Sequence, residues 1–134
     1  MTRPCRIHSA KQTQEGELYT RTYGASLSVL KNVVPFLGKG DDMVARLSKS
    51  VKAVPRLVAA GLHGSVPQTR KEFSLGEAAS RCRETVVMLS YCRDLHGRFV
   101  NSALCAELIE LYKCAAAELG KIIDRPVSDA GDVK

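Results

Sequence analysis

The stretch NSALCAELIELYKCAAAELGKIID, residues 101–124, reads as a single helix, and its reading decides the fold. Leu104, Leu108, Leu111, Ala115, Leu119 and Ile122 recur at steps of three and four, which sets all six on one helical face. Asn101 or Ser102 supplies a cap at its start, with Glu107 following, and the pattern fades at Asp124-Arg125-Pro126.

The same period recurs three times upstream. A helix over 68–96 carries Leu75, Ala79, Cys82, Val86, Leu89 and Cys92, with Ala78, Thr85 and Leu95 beside them, and Gly97 ends it. A helix over 42–62 buries Met43, Val44, Leu47, Val51, Val54 and Val58, started by Asp41 or Asp42 and kinked at Pro55. A helix over 17–37 buries Leu18, Thr22, Ala25, Val29, Val33 and Phe36, while Tyr19, Leu30 and Leu37 widen its apolar face. Gly24 weakens that helix or admits a close neighbour, Pro35 kinks its last turn, and Gly38-Lys39-Gly40 marks the stop. The segment from His63 to Gln68, with Pro67, reads as a loop. No stretch alternates apolar and polar as a strand does, and no Asn-Gly or Asp-Gly turn joins two β-rich runs. The spacing therefore predicts an all-α fold, an up-down-up-down four-helix bundle over 16–125. Aperiodic, polar segments at 1–15 and 126–134 flank it and read as flexible tails.

A chain of 134 residues fits one domain, in which about 68% of the unfolded surface is buried on folding. At 45% hydrophobic and 25% charged, the composition is that of a globular protein. No run approaches the ~18 apolar residues of a membrane helix, so no membrane partner is expected. Residues 1–14 lack an apolar core, which argues against a secretory signal and for a cytoplasmic location. The five cysteines, Cys5, Cys82, Cys92, Cys105 and Cys114, are odd in number and form no C-x-x-C pair. They are expected as buried, reduced thiols. His8, His63 and His96 stand far from any zinc spacing, so neither metal nor cofactor is expected.

Catalysis finds no constellation. No Glu has a His three residues on, as di-iron bundles require, and Gly38-Lys39-Gly40 lacks the spacing of a phosphate-cradling loop. Asp94 and His96 at a helix end read as a local cap rather than a dyad. The expected protein is not an enzyme.

Two motifs carry a resemblance. Val54-Pro55-Arg56-Leu57-Val58-Ala59-Ala60-Gly61 resembles I-P-x-N-I-A-E-G, the second-helix signature of a bacterial four-helix-bundle family. Thr69-Arg70-Lys71-Glu72-Phe73 is similar to the S-K-K-E-F entry into that family's third helix. The family comprises proteins encoded in intervening sequences of bacterial 23S ribosomal RNA genes and the accessory variability proteins of diversity-generating retroelements. Leu57 and Ala60 stand where the family has Asn and Glu. The resemblance implies a non-enzymatic bundle assembled into a homo-oligomeric ring, commonly a homopentamer. In its retroelement branch it implies binding to nucleic acid and partnership with a reverse transcriptase. The extra apolar flanks at Tyr19, Leu30, Leu37 and Leu57 are what a subunit interface requires.

Charge gives an independent hint. The net charge is +6, and residues 39–98 hold eleven basic and six acidic side chains, whereas 99–134 hold four and six. Arg46, Lys49, Lys52 and Arg56 follow at steps of three and four along helix two, and Arg70 and Lys71 extend the row at the next turn. Such a stripe tracks RNA or DNA phosphates. It equally describes a solvated face on a scaffold that binds protein and no nucleic acid. No aromatic interleaves these positions and the chain has no Trp, which argues against single-strand binding by stacking.

Overall fold

The computed structural model describes residues 10–38, 40, 42–62 and 67–124, with side chains from residue 16 onward. The expected tails at 1–9 and 126–134, the cap at Asp41, and most of the loop after helix two lie outside the described residues. The described residues form α1 (Ala10–Asn32), a 3-10 turn (Val34–Phe36), α2 (Asp42–Leu62), α3 (Gln68–Leu95) and α4 (Ser102–Asp124), with no strand.

Neighbours in the chain are neighbours in space. α1 packs on α2 and α4, and α3 packs on α2 and α4, while among the described residues the diagonal pairs do not approach. Ser50 of α2 meets Thr85 of α3, whereas Gly61 meets Leu75, so α3 descends as α2 climbs. Ser26 and Arg21 of α1 meet Tyr112 and Glu118 of α4 in the same antiparallel sense. The four-helix bundle is thus as the periodicity requires.

Its boundaries have local causes. α1 starts at Ala10, seven residues before the expected start, so residues 10–15 of the expected flexible segment are helical. It also ends early, because Pro35 has no N–H for the Lys31 carbonyl and disfavours helical backbone at Val34. Val33 N–H makes the last α-type bond to Val29, and the chain then tightens, with Phe36 N–H on Val33 and Leu37 N–H on Val34. Pro35 therefore terminates α1 rather than kinking its last turn. The break shifts the helical phase: Phe36, expected inside, is 52% exposed, and Leu37 is buried. Gly40 takes a φ of +85°, a left-handed conformation open to glycine, and turns the chain into α2. α2 and α4 begin and end where expected, and Asn101 Oδ1 accepts the Leu104 N–H as the cap of α4.

The core is apolar, and of its few polar groups Thr22, Ser26, Ser50 and Thr85 are hydrogen-bonded. Leu18, Val29, Leu47, Val51, Val54, Val58, Leu75, Leu89 and Leu119 are fully buried, each stabilising by roughly 1.5–3 kcal/mol. In α4 the buried face is turned relative to the expected stripe. Leu104, Leu111 and Ile122 are only partly buried, while Cys105, Ile109 and Tyr112 point inward. Val86 is likewise half-buried, and Leu95 is exposed.

Pro55 sits inside α2 without breaking it. A proline there leaves the Val51 carbonyl without its helical donor. The Ser26 hydroxyl of α1 supplies one, 2.6 Å away, and the phenol of the fully buried Tyr112 stands 3.4 Å from that hydroxyl. Gly61 is the buried penultimate residue of α2. A Cβ there would stand 2.5 Å from Leu75 Cδ2, so the residue lets α2 and α3 approach. A Cβ at Gly24 would meet nothing, so no neighbour approaches it.

Candidate nucleic-acid interface

The buried side of α2 faces α1 and α3, and that leaves its opposite side to the cations. Leu47, Val51, Val54 and Val58 define the inner face, and Arg46, Lys49, Lys52 and Arg56 are all exposed. From Arg46 to Arg56 the row rises about 15 Å along the helix. Lys49, Lys52 and Arg56 share the outermost face. Arg46 turns toward α3, where it joins Met43 in lining a groove with Glu84, Val87, Met88 and Tyr91. Arg70 is exposed and Lys71 half-buried in the first turn of α3, beside the C-terminal end of α2: the Lys71 carbonyl lies 3.4 Å from where a Gly61 Cβ would stand.

Among the described residues, none of these six cations makes an ion pair. Arg21, Arg81, Arg93 and Lys113 are instead neutralised by Glu118, Glu84, Asp94 and Glu110. Glu72, next to Lys71, accepts from Gln68 Nε2 at 3.1 Å. The row therefore presents its charge to solvent. The Arg21–Glu118 contact, at 2.7 Å, pins α1 to α4 and raises the guanidinium pKa through that hydrogen bond.

The aromatic that the linear stripe lacks comes from another helix. Tyr91 of α3 is 51% exposed and lines the same groove as Arg46, a cavity of about 640 Å³. Sequence reasoning missed it because no periodicity joins residues on two helices. The pattern 87, 91, 95 on α3 was a signal, since Val87, Tyr91 and Leu95 are exposed apolar residues one turn apart.

The apolar flanks expected at a subunit interface fall differently. Leu37 belongs to the core, and Leu30 and Leu57 are half-buried against it. Tyr19 is exposed, and it stacks on Tyr23 with ring centroids 6.0 Å apart. Leu27 continues that stripe.

Elsewhere the chemistry is quiet. Cys82 and Cys105 are free and buried and Cys92 is buried too, whereas Cys114, also expected inside, is exposed. Desolvation pushes the Cys82 thiol up to about 12 and raises that of Cys105, which keeps both protonated. Burial raises the Tyr112 phenol too, against the opposing effect of its hydrogen bond with Ser26. Asp94 holds Arg93 Nε at 3.2 Å, and His96 donates its backbone N–H to Cys92 at the end of α3. Among the described residues no three His, Cys, Asp or Glu gather as a metal requires, and no helix is long and apolar enough to cross a membrane. No protein-family model matches this sequence, no curated protein matches it, and no solved structure matches it.

Proposed function

We propose that this chain is a non-catalytic helical bundle that binds the phosphate backbone of RNA or DNA through the outer face of α2 and the first turn of α3. The observation that carries the reading is the row Arg46, Lys49, Lys52, Arg56, Arg70 and Lys71, exposed or half-exposed and without a carboxylate partner among the described residues. Unpaired cations along a helix release condensed counterions when they meet phosphates, which gives affinity without sequence preference. The resemblance of α2 and the start of α3 to a nucleic-acid-associated bundle family supports it.

The test is a fluorescence-anisotropy titration with labelled structured RNA and duplex DNA over a range of salt. Binding with a Kd on the order of 10⁻⁶–10⁻⁴ M that falls steeply with salt is expected. The combined Lys49→Ala, Lys52→Ala and Arg56→Ala variant should weaken all sequences alike and lower the salt slope by about 0.9 for every phosphate it no longer neutralises, with its thermal unfolding unchanged. No binding at low salt, or an unaltered slope in the variant, overturns the reading.

A second reading is favoured by the stripe Tyr19, Tyr23 and Leu27 on α1. In it the chain is an assembly module, joined to further copies through α1, and the ring of five expected from the resemblance is the closed form of such a contact. The two readings are compatible, because α1 contacts leave the outer face of α2 open. Mass measurement of the wild-type chain and of Tyr23→Ser decides it: a monomeric wild type rules assembly out.

A further inference from the structure

The groove between α2 and α3 combines features that the phosphate row alone lacks. Arg46 enters it from the end of the basic row, and the half-exposed Tyr91 ring faces it from α3. Val87, 67% exposed, lies one turn before Tyr91, and Met43 and Met88 complete its apolar lining. At about 640 Å³ it has the size of a small-molecule site. Two carboxylates also line it, each beside a partial counterweight. Glu84 is held by Arg81 Nη1 at 3.2 Å, and Asp42 lies in the first turn of α2, where the helix end stabilises negative charge.

The geometry points to a single-stranded nucleic acid as the ligand, with one unpaired base stacked on Tyr91 in this groove and the adjoining phosphates on Arg46 and Lys49. This rests on the phosphate-binding reading of α2 and narrows its ligand. A duplex keeps its base faces stacked on one another and offers none to a ring, whereas an unpaired base in a loop or an end does. The groove opens beside the basic row, so a strand following Arg56, Lys52 and Lys49 arrives at Tyr91 after Arg46. The ring needs no rearrangement to receive a base, being exposed already.

The experiment is an anisotropy titration of the full chain with three labelled probes of equal length: a single-stranded oligonucleotide, the same strand with abasic sugars, and a duplex. The strand is expected to bind about fivefold or more tightly than its abasic counterpart, which carries the same phosphates. Tyr91→Leu keeps an apolar side chain and removes the ring face, and it should erase that difference. Tyr91→Phe should retain it. Equal binding of strand and abasic strand, or a Tyr91→Leu variant that keeps the preference, overturns the inference while leaving phosphate binding standing. Failure of all three probes at low salt overturns both. If Tyr91→Leu changes the mass of the protein and not its base preference, the ring belongs to a contact between copies and the inference falls.

Discussion

At the scale of single residues, burial decides what each polar group can do. Cys82 lies in the core and keeps its proton to about pH 12, whereas an unfolded thiol releases it near pH 9. Between those values the unfolded chain binds fewer protons than the folded one, so stability is fully present below pH 9 and declines as pH rises through the window. The buried Tyr112 phenol, also raised, acts in the same direction at higher pH. Urea midpoints at pH 7 and pH 10 should therefore differ, with Cys82 costing on the order of 1 kcal/mol for each pH unit above 9. A flat profile would mean that water reaches Cys82. Cys82, Cys105 and Cys114 were legible as free thiols, yet their burial is not uniform. Cys114 and Cys105 stand nine residues apart on one helix, and only Cys105 turns inward.

At the scale of elements, the same substitution changes sign with its neighbours. Gly24 and Gly61 both lie inside helices, where alanine is intrinsically better by about 1 kcal/mol. Gly24→Ala meets nothing and should stabilise by up to that amount. Gly61→Ala drives a Cβ into the fully buried Leu75 and should destabilise by about 1–3 kcal/mol, as overpacking does. Thermal unfolding of the two variants reads the opposite shifts. Pro55 offers a sharper test of how elements depend on one another. Ser26→Ala leaves the Val51 carbonyl buried without a donor and should cost about 1–3 kcal/mol. In a Pro55→Ala background the residue-55 N–H can return to that carbonyl, so Ser26→Ala should cost less. A double-mutant cycle with no coupling would show that the 2.6 Å hydrogen bond does not replace the missing helical one.

At the scale of the molecule, α1 is the least secured helix. It ends early at Pro35, and a groove of about 300 Å³ separates part of it from α4, with Leu104 and Leu111 half-buried along its wall. Native-state hydrogen exchange should find α1 amides opening at lower free energy than those of α3, and equal protection would contradict it. The helices themselves were readable because a 3.6-residue period is a local property: a stripe of Leu and Val both favours the helix and names its buried side. The bundle followed, since four such stripes joined by short turns bury one another most simply as antiparallel neighbours. The six candidate cations were legible for the same reason, as residues left on the far side of one stripe. What lay beyond reach was the rotation of each face and every contact between helices. Tyr112 was missed because its place in the core depends on how α4 turns against α1. The Ser26 bond to Val51 joins positions 25 apart, and Tyr91 meets the groove of Arg46 from a different helix. Sequence alone determined four amphipathic helices and a basic outer face, because short-range backbone bonding and burial write themselves as a repeat. Only the tertiary structure decided which donor serves the carbonyl above Pro55 and which ring stands beside the cations, because packing sets those distances and no repeat records them.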